Sequence, residues 1–272
     1  MQFATLNGIT LHYALTGDPR RQPLIACANS LGTDLRIWDD VVPRLADRFA
    51  LLRYDVRGHG LSGIGTPPYS MDEHADDLAA LIRHVGAPQA IVCGVSMGGQ
   101  IALALAARHP RLVGGLVLSD TAHRIGDATF WNTRVAAIQK GGLASIVDPI
   151  MERWFSPAFR VPSNAAYAGY RAMFCRQPVA GYIGSCAAVR DADLTAAARG
   201  TRVPTLCVVG EQDGSTPPAL VRMLADLVPG SAYATIRDAG HLPCIEQPEE
   251  FADLVRQFAD ALAMESRSHV DS

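Results

Sequence analysis

Five short stretches of this chain are apolar at nearly every position: Leu24–Ala28, Ala50–Tyr54, Ala90–Cys93, Leu116–Leu118 and Thr205–Val209. A strand with one wet face alternates apolar and polar residues, so a strand apolar throughout needs cover on both faces. Segments of helical period separate these runs. Asp72–His84 sets Leu78, Leu81 and Ile82 on one side, with Glu73, Asp76 and Asp77 in the early turns where acids suit a helix N-terminus. Gln100–His109 is rich in Ala and Leu and stops before Pro110. Glu249–Ala263 spaces Phe251, Leu254, Phe258 and Leu262 along one helical face. Such alternation predicts an α/β fold with a mostly parallel, doubly wound sheet. The chain opens with two short strands around Asn7-Gly8, a pair suited to a type I′ hairpin turn. Ala232–Ile236 reads as the last strand.

The rhythm breaks once. From Arg124 to Arg199 the pattern is helical without a convincing strand, and it carries Phe130, Trp131, Trp154, Phe155, Tyr167, Tyr170, Phe174 and Tyr182. The expected organisation is a core of residues 1–123 and 200–264, a helical lid over 124–199 whose aromatics mostly form its own core, and a polar, flexible tail over 265–272.

The remaining composition excludes several classes. The formal net charge is -3 and the basic residues are scattered, which leaves no footprint for nucleic acid. No apolar run is long enough to span a membrane, and the first residues lack the basic-then-apolar pattern of a signal peptide. Six cysteines stand singly, without CxxC spacing, as expected of buried reduced thiols in a cytoplasmic protein. Neither a metal-ligand cluster nor a phosphate-cradling glycine loop is present, so the sequence implies no metal and no cofactor.

Gly94-Val95-Ser96-Met97-Gly98 follows the run Ala90–Cys93 and precedes a helix. A G-x-S-x-G stretch at a strand-to-helix junction is the setting of a nucleophilic serine, because small neighbours allow the sharp turn that exposes its hydroxyl. A serine hydroxyl needs a base and an acid to orient that base. In this arrangement they follow in the order serine, acid, histidine on loops after later strands. Asp213 follows the run Thr205–Val209 and is the expected acid, with Glu211 as its rival. Of eight histidines only His241 and His269 follow Asp213, and His269 lies in the polar tail, so His241 is the expected base. His59 sits in a tight loop after Tyr54, where a structural role is expected. An oxyanion needs backbone donors. Met97 N–H is one by position, and Leu31 N–H, in Asn29-Ser30-Leu31-Gly32, is the other.

Asp55-Val56-Arg57-Gly58-His59-Gly60-Leu61-Ser62 and Asp238-Ala239-Gly240-His241 match patterns shared across the α/β-hydrolase family, which the chain resembles over residues 1 to 263. Within it, the chain is most similar to the 3-oxoadipate enol-lactonases. The stretches that carry this narrower likeness are Asn29–Leu35, Gly94–Gln100, Asp120–Gly126, Phe130-Trp131-Asn132 and Ala187–Asp191. Asn29-Ser30 stands where most relatives outside that group have His-Gly. The resemblance implies an α/β-hydrolase fold and hydrolysis of a small-molecule lactone by Ser96, Asp213 and His241. The lactone carries a free carboxylate, for which Arg134 and Arg190 are the candidate partners and Trp131 an apolar or N–H contact. Competing readings are another serine hydrolase (a carboxylesterase, a C–C bond hydrolase or a perhydrolase) and a non-catalytic receptor on the same scaffold.

Overall fold

The computed structural model describes residues 1–268, with side chains described through Leu262. Its strands are β1 (Gln2–Leu6), β2 (Ile9–Thr16), β3 (Leu24–Ala28), β4 (Ala50–Tyr54), β5 (Ala90–Val95), β6 (Val113–Ser119), β7 (Thr205–Gly210) and β8 (Ala232–Ile236). They form one eight-stranded sheet in the order β1-β2-β4-β3-β5-β6-β7-β8. β1 and β2 make the expected hairpin, with Asn7 and Gly8 at φ 49° and 77° as a type I′ turn requires. β2 runs antiparallel to β4, and every pairing from β4 to β8 is parallel.

The helices are α1 (Val42–Leu45), α2 (Met71–His84), α3 (Met97–Arg108), α4 (Ala128–Gly141), α5 (Val147–Trp154), α6 (Ala165–Cys175), α7 (Val179–Asp191), α8 (Thr195–Gly200), α9 (Pro218–Leu227), α10 (Pro243–Glu246) and α11 (Pro248–Ser268). α2, α3, α8 and α9 pack in series, and α1 packs on α11. Between these layers β3, β5 and β7 are buried along their whole length, which is why their sequences show no alternation. α2 begins with a capping box. Ser70 Oγ accepts from Glu73 N–H at 3.2 Å, and Glu73 Oε2 accepts from Ser70 N–H at 2.8 Å. Among the described residues no helix is long and apolar enough to cross a membrane. The tail expected over 265–272 begins inside α11; residues 269–272, His269 among them, lie outside the described residues.

Helices α4–α7 fill the interval between β6 and β7, and α8 packs against α3 and α9. The inserted helices share an aromatic cluster: Phe155 stacks on Phe159 at 4.6 Å, and Phe174 meets Trp154 and Tyr182 edge-on at 5.6 and 5.5 Å. α7 sits on the loop after β4 through bare backbone. A Cβ on Gly181 would lie 2.0 Å from Gly58 O, and one on Gly58 would lie 2.5 Å from Gly181 Cα. Beside this contact Gly60 N–H donates to Gln177 Oε1 at 2.8 Å and Tyr69 N–H to Gly184 O at 3.2 Å.

Because both partners at Gly181 are backbone, neither can yield, and Gly181→Ala is expected to cost about 2–3 kcal/mol. Gly169, inside α6, has nothing within 4 Å of an added Cβ. Gly169→Ala is therefore expected to gain about 0.5–1 kcal/mol from helix propensity. Urea midpoints at unchanged slope measure both, and equal midpoints for the two variants would contradict the close approach.

Candidate active site

Ser96 joins β5 to α3 at φ 58°, ψ −119°, a conformation that costs a residue with a side chain about 1–3 kcal/mol. Its surroundings over-determine it. Ser96 N–H donates to Ser119 O at 2.9 Å, and Ser96 O accepts from Thr121 Oγ1 at 2.6 Å and Gly99 N–H at 2.9 Å. The flanking glycines are required by contact rather than by flexibility. A Cβ on Gly94 would lie 2.2 Å from Gly98 O, and one on Gly98 would lie 2.0 Å from Ala28 O. With the chain turned this sharply, Ser96 lines a cavity at the carboxyl edge of the sheet.

Asp213 and His241 come from the loops after β7 and β8, and both are buried. His241 Nδ1 lies 2.9 and 3.0 Å from the two Asp213 oxygens. Asp213 also accepts from Ser215 N–H at 2.7 Å, Thr216 N–H at 3.0 Å and Thr216 Oγ1 at 2.7 Å. Burial alone would raise the Asp213 carboxyl, but the His241 charge and these hydrogen bonds hold it below the ordinary carboxylate value. Glu211, the rival acid, is exposed. The His241 loop is tied to the inserted helices: its N–H donates to Trp154 O at 2.8 Å, while Glu246 accepts from Gly240 N–H at 2.7 Å and Ser156 N–H at 3.0 Å. His241 and Ser96 line the same cavity, and no hydrogen bond joins Ser96 Oγ to the ring among the described residues. Such contacts commonly close only around a substrate.

Leu31 lines the cavity too, on a loop pinned from below. Asn29 Nδ2 donates to Tyr54 O at 2.6 Å, and Trp38 Nε1 donates to Asn29 Oδ1 at 2.7 Å. Gly32 N–H donates to His59 Nε2 at 3.0 Å. Met97 is the first residue of α3, where N–H groups have no intrahelical partner. Neither Leu31 N–H nor Met97 N–H is spent on a protein acceptor among the described residues. His59 is thus a prop for this loop, as expected. Burial pushes its ring down to about 4, so it is neutral and accepts from Gly32.

The cavity holds about 170 Å³ and is walled by Leu31, Ile125, Phe130, Trp131, Ile150 and Tyr182, with Arg134 and Arg153 on its rim. Arg134 lies 4.7 Å from the Phe130 ring and 4.6 Å from Trp131, and Arg153 lies 5.3 Å from Phe130. No carboxylate lines it, and neither arginine has an ion pair among the described residues. Arg190 corrects an expectation: it does not reach the cavity. Asp191 takes its Nε and Nη2 at 2.7 and 2.8 Å, and Asn132 takes Nη1 at 2.9 Å. Trp131 is in place, but its N–H is spent on Ile125 O at 2.6 Å, so it offers the cavity an apolar face. The sequence reading missed Arg153, Thr216, Glu246 and Asp120. Asp120, Asp213 and His241 bring oxygen and nitrogen atoms within 4.8 Å of one another, a spacing that would admit a cation. The carboxylate oxygens, however, already accept from N–H and O–H donors.

A model of the alpha/beta hydrolase family matches residues 25–254, and the chain belongs to that family. It is similar to 3-oxoadipate enol-lactonase 2 of Acinetobacter baylyi, with 32% identity over 247 residues, 91% of this chain and 92% of that one. It is 29% identical to 3-oxoadipate enol-lactonase 1 of the same organism over 255 residues, 94% and 95% of the two chains. The crystal structure of the enol-lactonase from Burkholderia xenovorans LB400 superposes with a TM-score of 0.92 at 35% identity, covering 95% of this chain and 100% of that one.

The buried histidines set an acid sensitivity. His74, pushed down to about 3 chiefly by burial and further by the Arg57 charge, is neutral in the fold like His59. In the unfolded chain both protonate near pH 6.5. Between that pH and about 4 these two rings let the unfolded chain bind up to two more protons, a contribution that raises stability with pH and that the raised Asp120 and Glu246 carboxyls, which hold protons in the fold, oppose. Each ring contributes at most ~1.4 kcal/mol per pH unit. Urea unfolding at stepped pH isolates the histidine contribution: the slope of stability against pH between about 6.5 and 4.5 is expected to be less positive by about one proton in His74→Gln, and an unchanged slope would refute it.

Proposed function

We propose that the chain hydrolyses 3-oxoadipate enol-lactone to 3-oxoadipate through an acyl-enzyme on Ser96. The observation that carries the reading is the cavity itself: a small space ending on Ser96 and His241, free of acids and rimmed by two guanidiniums without ion-pair partners. Its 170 Å³ is below the range of about 300–1,000 Å³ that houses drug-sized molecules, and it suits a six-carbon lactone acid. The likeness to enol-lactonases supports the same substrate and makes the chain a carboxylic-ester hydrolase.

Ser96 Oγ attacks the lactone carbonyl while His241 Nε2 takes its proton, and Asp213 holds the ring by Nδ1 and stabilises the imidazolium. The oxyanion is met by Leu31 and Met97 N–H. Collapse breaks the ring C–O bond. The enolate leaves without strong acid assistance, takes the proton from His241, and becomes a ketone, which removes the nucleophile that would otherwise reclose the tethered ring. Water, deprotonated by His241, then cleaves the acyl-serine ester and restores the hydroxyl. Arg134 meets the spectator carboxylate, with Arg153 beside it, and the helices over 124–199 act as the lid that supplies both. Six free cysteines, five of them buried, support a cytoplasmic setting.

Loss of ultraviolet absorbance from freshly generated enol-lactone tests the proposal, and Ser96→Ala is expected to slow it more than ~10⁴-fold. Arg134→Ala is expected to raise KM about 10- to 100-fold with a smaller change in kcat, the worth of one charged hydrogen bond. Turnover of simple esters without the lactone would remove the substrate assignment and leave the serine mechanism. An unchanged KM in Arg134→Ala and Arg153→Ala would remove the carboxylate site.

A further inference from the structure

Beneath the proposed triad lies a second carboxyl with no role in it. Asp120 follows β6, is fully buried, and adopts φ +48°. Its backbone N–H donates to Val208 O at 2.9 Å, Oδ1 accepts from Gly210 N–H at 2.8 Å, and Oδ2 accepts from Ser119 Oγ. These partners are the last residue of β6 and two residues of the adjacent strand β7, and Asp213 and His241, on the loops after β7 and β8, bring ligand atoms within 4.8 Å.

We propose that Asp120 keeps its proton at neutral pH and shares it with Asp213, so that the two buried carboxyls carry one negative charge and Asp213 is fixed as the acceptor for His241. This rests on the reading of Ser96, His241 and Asp213 as the reacting set. Two carboxylates this close in a buried site do not both ionise, because neither solvent nor a cation offsets their repulsion. The geometry says which one keeps the proton. Asp213 has His241 and three further donors on its charge. Asp120 has one amide, one hydroxyl and no cation. The other titratable group facing it is the Cys244 thiol from α10, itself pushed well up by burial and by Asp120. Burial and the Asp213 charge accordingly hold Asp120 well above the ordinary carboxylate range.

The consequence is electrostatic poise. A second anion beside His241 would stabilise the imidazolium and disarm the base at neutral pH. A neutral Asp120 avoids this while its proton bonds to Asp213. Asp120 is thus a positioning residue that acts through Asp213.

Carbon-13 NMR of aspartate-labelled protein at pH 7 is expected to show one protonated carboxyl that disappears in Asp120→Asn. Asp120→Ala, which removes the bridging proton, is expected to lower kcat about tenfold with KM unchanged. Asp120→Asn, which tolerates the same φ and keeps a donor, restores kcat to within about threefold and leaves the acid limb of the pH profile in place. A downward shift of that limb by a unit or more in Asp120→Asn would mean an anion had been removed, and would overturn the proposal. So would the absence of the protonated signal, or full kcat in Asp120→Ala. If Asp120→Ala fails to fold, the NMR signal and the Asp120→Asn limb still decide. Activity surviving Ser96→Ala would instead overturn the triad reading, an outcome separate from the Asp120 proton.

Discussion

At the crossing of β3, β5 and α3 the backbones meet with no side chain between them, and the rest of the site is hung from that contact. Gly98 lies so close to Ala28 and Asn29 that an added Cβ would reach Ala28 O at 2.0 Å and Asn29 O at 3.0 Å. The helix start that bears Met97 N–H is therefore fixed against the end of the strand that leads to Leu31. Two donors from distant parts of the chain are held in register by one backbone contact, which is what preorganised stabilisation of an oxyanion demands. The same closeness drives Ser96 into its positive φ. The strain there is held by the hydrogen bond Ser96 N–H gives to Ser119 O and the one Ser96 O accepts from Thr121 Oγ1, not by the serine's own preference.

A second layer of buried polar contacts supports the first. Asp55 accepts from Leu35 N–H at 2.8 Å, Leu61 N–H at 2.8 Å and His12 Nδ1 at 2.8 Å, and Arg57 forks onto Asp77 at 2.6 and 2.8 Å while reaching Glu73 at 2.8 Å. These residues belong to the stretch Asp55–Ser62, which bears charge and a histidine yet touches no substrate cavity. Its output is the position of His59, hence of Gly32, hence of the donor loop. Buried ionic groups of this kind fix geometry more than they add stability.

The sheet was legible because burial on both faces leaves a mark that no other element shares: β3, β5 and β7 read as apolar runs since nothing in them meets water. Ser96, Asp213 and His241 were legible for a different reason. Ser96 and Asp213 follow closely on such runs and His241 lies on the loop after the last strand, so local sequence places each at the same edge. Arg153 and Glu246 carry no comparable signal, because their roles arise where α5 and the loop after β8 happen to meet. Arg190 was misplaced although the sequence held a warning: Asp191 is its immediate neighbour and captures the guanidinium. Asp120 lay in a stretch read for family likeness. Its proximity to Asp213 is a property of strand order, since β6 and β7 are adjacent in the sheet though separated by the whole inserted segment.

The charges of the proposed site are layered, and the layering bears on turnover. Cations stand at the rim on the inserted helices, while the buried carboxyls lie under His241 at the sheet edge. In the proposed reaction a lactone acid would enter with one charge, which the arginines would meet, and would present an uncharged ester to the buried end. Its hydrolysis would create a second carboxylate at that end, facing the Asp213 charge across His241. On that reading the rim arginines would bind substrate and product alike and so contribute uniform binding, which does not by itself speed the chemical step. The buried charge distinguishes the two, because only the product places an anion beside it. If Asp120 and Asp213 together carry one negative charge, that repulsion is enough to favour release without over-stabilising the imidazolium that the preceding step requires.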